Sequence, residues 1–419
     1  MLRRKIALFV LLPFICLTLL FLTDKALQNF YSAEKQQVFE NNFVLPANSS
    51  AFYKGPEFSY LAKTNSLGFR GREYPKPKAV NTIRILAVGD SFTFGAGSNE
   101  KDIWTTQLEK VLGRRFMEKK VEIFNLGQPG LNPYKYLEII NKYVPLYDPD
   151  ILLLGIVEGD DIGQLIIYPE KKASLNQKSD NIRKKLLEKI DHSSGIRGGF
   201  SGRTVKLGNF LAGMYPFFYS LLTPYKVIDI RSANLSSLKA FINYLGDEEI
   251  ISIETRISSD LLDLYLSGGL NPNLLSLAVS KPDFFTAFMD ENDQKVNYAV
   301  EQFTAIINEV DAIAKENGTL PLIIDIPYGL FVSKGHADTL AKMGFRYSES
   351  PWLSQQPLSL LQRAASPSGM RIIDNLHYFR EKCSDDCFFK YDGHFNGKGN
   401  KLLADNLGEI LSQYIKNNF

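Results

Sequence analysis

Apolar positions along this chain fall into three rhythms. From Ile6 to Leu22 they run on without a charge; residues 26 to 80 are polar and irregular, with Gly68, Gly71, Pro75 and Pro77 marking turns; from Ile83 short apolar blocks alternate with helical patterns. Ile83–Val88, Val121–Phe124 and Ile151–Ile156 predict buried strands, and Trp104–Leu112 and Pro133–Val144 predict helices. The second helix has Asn132 as its cap and proline in its first turn. The alternation resumes late, with a helix over Val296–Lys315, strands over Leu320–Ile326 and Met370–Asp374, and a closing helix from about Lys398 to Ile415. Such alternation predicts an α/β domain over 81–168 and 295–419, with a parallel sheet that binds ligand at the carboxyl ends of its strands.

Between Ile167 and Gln294 the alternation stops, and 169–294 is expected to be a mostly helical insertion capping the sheet. It begins with a Lys/Arg-rich linker, Lys171 to Arg203, and continues into the apolar stretch "LGNFLAGMYPFFYSLLTP", Leu207–Pro224. Asn209 and Pro216 argue against a second membrane span there, and a lid or a membrane-facing helix is expected instead. Residues 236 to 290 read as helical, broken at "GGLNPN".

Charge changes the picture only at the amino terminus. Arg3, Arg4 and Lys5 precede the seventeen apolar positions Ile6–Leu22, close to the lower limit of about 17 residues for a span at about 1.5 Å per residue. Positive charges stay inside, so residues 1–25 are expected to form an uncleaved signal anchor with the remaining chain outside the cytoplasm, preceding a lead-in over 26–80. No small-x-small cleavage site follows; a cleaved signal peptide is the alternative. Elsewhere, 48 basic and 46 acidic residues in 419 leave a net charge of +2, with no global field that points to nucleic acid. Of three cysteines, Cys16 lies in the apolar run, so Cys383 and Cys387 are the possible exported pair, as a disulfide or as two thiols.

Candidate chemistry begins at "ILAVGDSFTFGAG", residues 85–97, where a buried strand ends in Gly-Asp-Ser. Ser91 stands there as a nucleophile or as a cap on the following helix. A serine nucleophile requires a base. Of four histidines, His192 lies in the basic linker, His336 in a Lys-Gly loop and His377 beside an apolar strand, whereas His394 sits in "KYDGHFNGKGN" two residues after Asp392. An acid beside the base fixes the imidazole tautomer and stabilises its cation, so Ser91, His394 and Asp392 compose a complete relay. Asp385 and Asp386 are alternative acids. Cys383, Cys387, Asp392 and His394 are also possible metal ligands, but their spacing matches no common zinc pattern; no metal and no organic cofactor is expected.

Together "GDSFTFG" and "DGHFNGKG" resemble the SGNH/GDSL hydrolase family, over about 83–165 and 296–415, with a weaker likeness at "NSLGFRG" to its membrane-anchored members. The resemblance implies a flavodoxin-like three-layer α/β/α domain with Ser91 as nucleophile, Asp392 as orienting acid and His394 as base. It also implies an oxyanion hole from the backbone N–H groups of Ser91 and of Gly130 in "NLGQPGLN", and from an asparagine amide. Here "VEGDDI" places Asp160 at that asparagine, and an ionised carboxylate would repel the oxyanion, where losing one donor costs about 10² to 10³ in rate. The expected function is that of an exported, membrane-tethered serine esterase or O-acyltransferase acting on O-acetyl groups of an envelope or exported carbohydrate. A lipid or long-chain ester is the alternative substrate. A non-catalytic envelope-assembly or polysaccharide-binding factor that keeps the fold is the alternative from another class, suggested by Asp160.

Overall fold

The computed structural model describes residues 16, 18–25, 45–166, 177–195, 225–347 and 350–418. Most of the expected anchor and the whole apolar stretch 207–224 lie outside them, and among the described residues no helix is long and apolar enough to cross a membrane. The lead-in departs from the irregular reading: Ser50–Lys54 (β1) and Ser59–Lys63 (β2) form an antiparallel hairpin that pairs Phe52 with Leu61. Neither strand exceeds five residues and β1 has no fully buried position, so hydrophobic alternation has little to register there.

The central sheet follows the predicted blocks. Its first half runs through Thr82–Val88 (β3), the one-turn helix Ser91–Phe94 (α1), Trp104–Arg115 (α2), Lys120–Asn125 (β4), Pro133–Tyr147 (α3), Ile151–Val157 (β5) and Asp161–Leu165 (α4). Every residue of β3 and β5 is buried, as a strand covered on both faces requires. The stretch between the two halves holds Gln177–Gly195 (α5), Lys226–Asp229 (β6), Ile230–Tyr244 (α6), Asp247–Arg256 (α7), Ser259–Leu266 (α8) and Pro272–Ser280 (α9). Gln294–Glu316 (α10), Leu320–Ile326 (β7), Gln356–Ala365 (α11), Arg371–Ile373 (β8) and Gly397–Asn418 (α12) complete the core.

The five core strands are ordered β4-β3-β5-β7-β8 and are all parallel, the doubly wound order of flavodoxin-like sheets. Right-handed crossovers fix where the helices go. The step from β3 to β4 and the step from β4 back to β5 run in opposite directions, so α2 and α3 cover opposite faces. Contacts agree: α2 packs with α12, while α3 packs with α10, which packs with α11. The sheet therefore brings the ends of β3, β4 and β5 together at one carboxyl edge.

Two features of the intervening stretch were hidden by composition. The basic segment expected to be a linker contains α5, because Ile182, Leu186 and Ile190 recur at helical spacing among its lysines and are buried. Strand β6 is short and largely exposed, yet it pairs in parallel with β1, making a second sheet of order β2-β1-β6. The lead-in and the intervening stretch are thus joined by backbone hydrogen bonds.

Arg70, fully buried, fastens the lead-in to the core. Its guanidinium donates to the carbonyls of Phe94 (3.0 Å), Gly95 (2.7 Å) and Ser98 (2.5 Å), and its Nε to Glu100 at 3.1 Å. Those carbonyls belong to the chain just after Ser91. Arg70→Met keeps the bulk but strands three buried acceptors at roughly 1–3 kcal/mol each, so the variant is expected to lose about 3 kcal/mol or more of stability, read from its urea unfolding midpoint.

Candidate active site

At the end of β3 the chain turns through Gly89 and Asp90 into α1. Asp90, not Ser91, caps that helix: its Oδ1 accepts the Phe92 N–H at 2.8 Å. The serine hydroxyl is left for other work. It lies 2.7 Å from His394 Nε2, and His394 Nδ1 lies 2.5 Å from Asp392 Oδ1. With Asp392 holding the proton on Nδ1, Nε2 is the nitrogen free to take the serine proton. The structure thus brings Ser91, His394 and Asp392 into one line of hydrogen bonds.

The loop that carries the histidine is folded tightly against itself. Phe388 and Phe395 form an antiparallel bridge, the Phe389 N–H donates to the His394 carbonyl at 2.8 Å, and the Gly393 N–H donates to the Phe389 carbonyl at 3.1 Å. Just before it, Cys383 and Cys387 are joined in a disulfide. At its far end Asn400 accepts the Trp104 N–H at 2.9 Å and donates to the Phe395 and Asn396 carbonyls, seating the first turn of α12 on α2. The Phe92 ring packs beside the imidazole, with centroids 4.8 Å apart.

Glu57, in the turn between β1 and β2, holds this loop from outside. Its carboxylate accepts the Asp392 N–H at 2.8 Å and the Tyr391 N–H at 3.1 Å. Burial pushes its carboxyl up, against the lowering effect of those N–H donors. A lone acid in a polar lead-in carries no sequence signal, and the reading from sequence missed it. Asn125 was missed as well. It follows the last apolar residue of β4, and its side chain donates to the Thr93 carbonyl (2.8 Å) and accepts the Gly127 N–H (2.9 Å). Gly127 is required there, since a Cβ would lie 2.3 Å from the Phe94 nitrogen.

The alternative acids lie elsewhere: Asp386 pairs with Lys398 at 2.7 Å, and Asp385 packs against Gly335. His336 is buried against Phe388, His377 pairs with Asp374 at the surface, and His192 is exposed on α5. Cys383, Asp386 and Cys387 cluster closely enough for metal ligands, but both sulfurs are taken by the disulfide. Gly130 is exposed in the left-handed region at φ 77°, with no atom within 4 Å of the place a Cβ would occupy.

Asp160 follows β5 on the same edge. Its Oδ1 accepts from the Gln164 amide at 3.0 Å, and burial pushes its carboxyl above the ordinary range while Gln164 and His394 pull the other way. Burial, then the charge of Asp160, pushes Asp90 up to about 7. For His394, burial opposes protonation. Asp392, with Asp90 and Asp160 behind it, outweighs that and raises the imidazole above its ordinary value.

No family model matches this chain, and no curated protein matches it. Among solved structures it is similar to an acetyl xylan esterase, AlAXEase, at 10% identity and a TM-score of 0.36, covering 78% of this chain and 100% of that one. It is also similar to a lipase/acylhydrolase from Enterococcus faecalis, at 11% identity and a TM-score of 0.33, covering 79% and 96%. A protein described as lipolytic and of the G-D-S-L family, from Desulfitobacterium hafniense, stands at 11% and 0.32, covering 78% and 98%. Similarity this low adds nothing to what the strand order and side-chain distances establish.

Two outcomes are expected. A base must be neutral to accept a proton, so activity falls as pH drops through the raised His394 value; the acid limb of kcat/KM for p-nitrophenyl acetate should have an apparent pKa above 6.5. Glu57→Ala frees the backbone of Asp392. A shift of about 1 Å in a reacting group costs about 10² in rate, so kcat should fall by about 10- to 100-fold while circular dichroism stays that of the parent.

Proposed function

We propose that this chain is a serine enzyme that cleaves or transfers ester-linked acyl groups. The observation that carries the reading is the unbroken relay, with 2.7 Å from Ser91 Oγ to His394 Nε2 and 2.5 Å from His394 Nδ1 to Asp392 Oδ1. Ser91 attacks the acyl carbonyl as His394 takes its proton, and Asp392 steadies the imidazolium. His394 returns the proton to the departing alcohol. Water or a second alcohol then attacks the acyl carbon as it gives its proton to His394, the bond from that carbon to Ser91 Oγ breaks, and His394 returns the proton to the serine oxygen.

The oxyanion would meet the backbone N–H groups of Ser91 and Gly130. A protonated Asp160 carboxyl would donate to the oxyanion where an ionised one repels it, and burial shifts the group in that direction. The proposed substrate is an O-acetyl ester of an envelope or exported carbohydrate, met outside the cytoplasm by a chain tethered through its amino-terminal segment. Support comes from Arg3, Arg4 and Lys5 ahead of Ile6–Leu22, and from the Cys383–Cys387 disulfide, a bond of oxidising compartments.

A fluorophosphonate probe should label the protein on Ser91, and Ser91→Ala should abolish labelling. Absent or unchanged labelling would leave only a scaffold reading of the fold. Among p-nitrophenyl esters, acetate should be preferred over long chains; the reverse order would turn the substrate into a lipid ester.

A further inference from the structure

We propose that the cleft between the lead-in hairpin and the helical stretch holds the alcohol portion of the ester, and that it takes a neutral sugar ring. The proposal rests on the serine relay described above. The cleft is open to solvent and has a volume of about 200 Å³. Phe58 and Tyr60 line it from the hairpin, Asn234 and Asn271 from the helical stretch, and Asp392 and His394 from the relay loop.

The mechanism argues for the alcohol portion of the ester beside His394. When the bond from Ser91 Oγ to the acyl carbon forms and the bond from that carbon to the alcohol oxygen breaks, the proton carried by His394 passes to the departing oxygen. That oxygen must therefore sit within hydrogen-bond reach of the imidazole; His394 and Asp392 line the cleft, while Ser91 is not among its described lining residues. In a transfer, the acceptor hydroxyl enters by the same space and returns its proton to the same nitrogen.

The walls specify the chemistry of the occupant. Glu57 and Asp392 contribute carboxyl groups, and no lysine or arginine is among the described residues that line the cleft. Two carboxyl groups, with no lysine or arginine among the described lining, disfavour a uronate or a phosphate, whereas an uncharged polyol meets suitable partners. Asn234 commits its amide N–H groups to the carbonyls of Gly268 (3.2 Å) and Leu270 (2.9 Å), so what it has left for a ligand is an acceptor oxygen. Asn271 uses its oxygen to accept the Asn273 N–H at 3.0 Å, capping α9, so what it has left is a pair of donors. An acceptor and a donor beside aromatic rings suit hydroxyls around an apolar ring face.

Ser91→Ala protein, which cannot turn over, is the material for the test, with xylotriose as the neutral probe and the galacturonic acid trimer as the anionic one. Saturation-transfer NMR and titration should show xylotriose bound and the uronate trimer at least tenfold weaker. Adding Asn234→Leu should weaken xylotriose at least tenfold. Asn271→Asp, which keeps a capping oxygen but removes the donors, should do the same in a protein that folds as the parent does. No xylotriose binding, equal binding of the uronate trimer, or binding indifferent to both substitutions would overturn the proposal. Fluorophosphonate labelling of the parent separates the two failures: a labelled enzyme that ignores the sugar loses only the subsite, and an unlabelled protein loses the relay and the subsite together.

Discussion

The hydrogen bond between Ser91 and His394 joins side chains 303 positions apart, so its length is set by packing and not by the chain between them. One end is rigid because β3 is buried along its whole length and Asp90 caps the turn that follows. The other end is a loop on the surface, where backbone would ordinarily be mobile. It is held by its own bridge, by a disulfide at its root, by Asn400 at its exit and by Glu57 from a separate sheet. Each restraint removes freedom from the imidazole before any substrate arrives, which is the preorganisation that acyl transfer depends on.

Charge around that imidazole is unusually one-sided. Asp392 touches it, and Asp90 and Asp160 act on it through space. Three carboxyl groups about one ring favour its cation, the state it enters when it takes the serine proton. The same crowding works against the acids themselves: Asp90 rises to about 7, burial first and Asp160 next. Only the ionised forms of these acids favour the cation, so the burial that raises Asp90 and Asp160 works against the help that Asp392 gives.

Much of this was legible in the sequence, and the reasons are specific. Fully buried strands such as Ile151–Val157 are continuous apolar runs, and Leu320–Ile326 is read to its ends because the flanking residues change character abruptly. The relay was legible because a strand ending in Gly-Asp-Ser and a late Asp-x-His each carry chemistry in a short window. What escaped was long-range and polar. Glu57 acts on a loop 335 positions away through two backbone N–H groups, and no local pattern encodes that. Strands β1 and β6 pair across the chain with little burial, and the lysines of α5 conceal its apolar stripe.

Strand β1 has neighbours on both sides, the hairpin partner β2 and the distant β6. It is therefore a seam, not an edge, and the hairpin it belongs to lines the same cleft as His394. A fragment trimmed to the first core strand would keep Ser91, His394 and Asp392, yet leave the histidine loop without its Glu57 brace and the cleft beside it without its hairpin wall. The working unit of this protein starts well upstream of its α/β pattern.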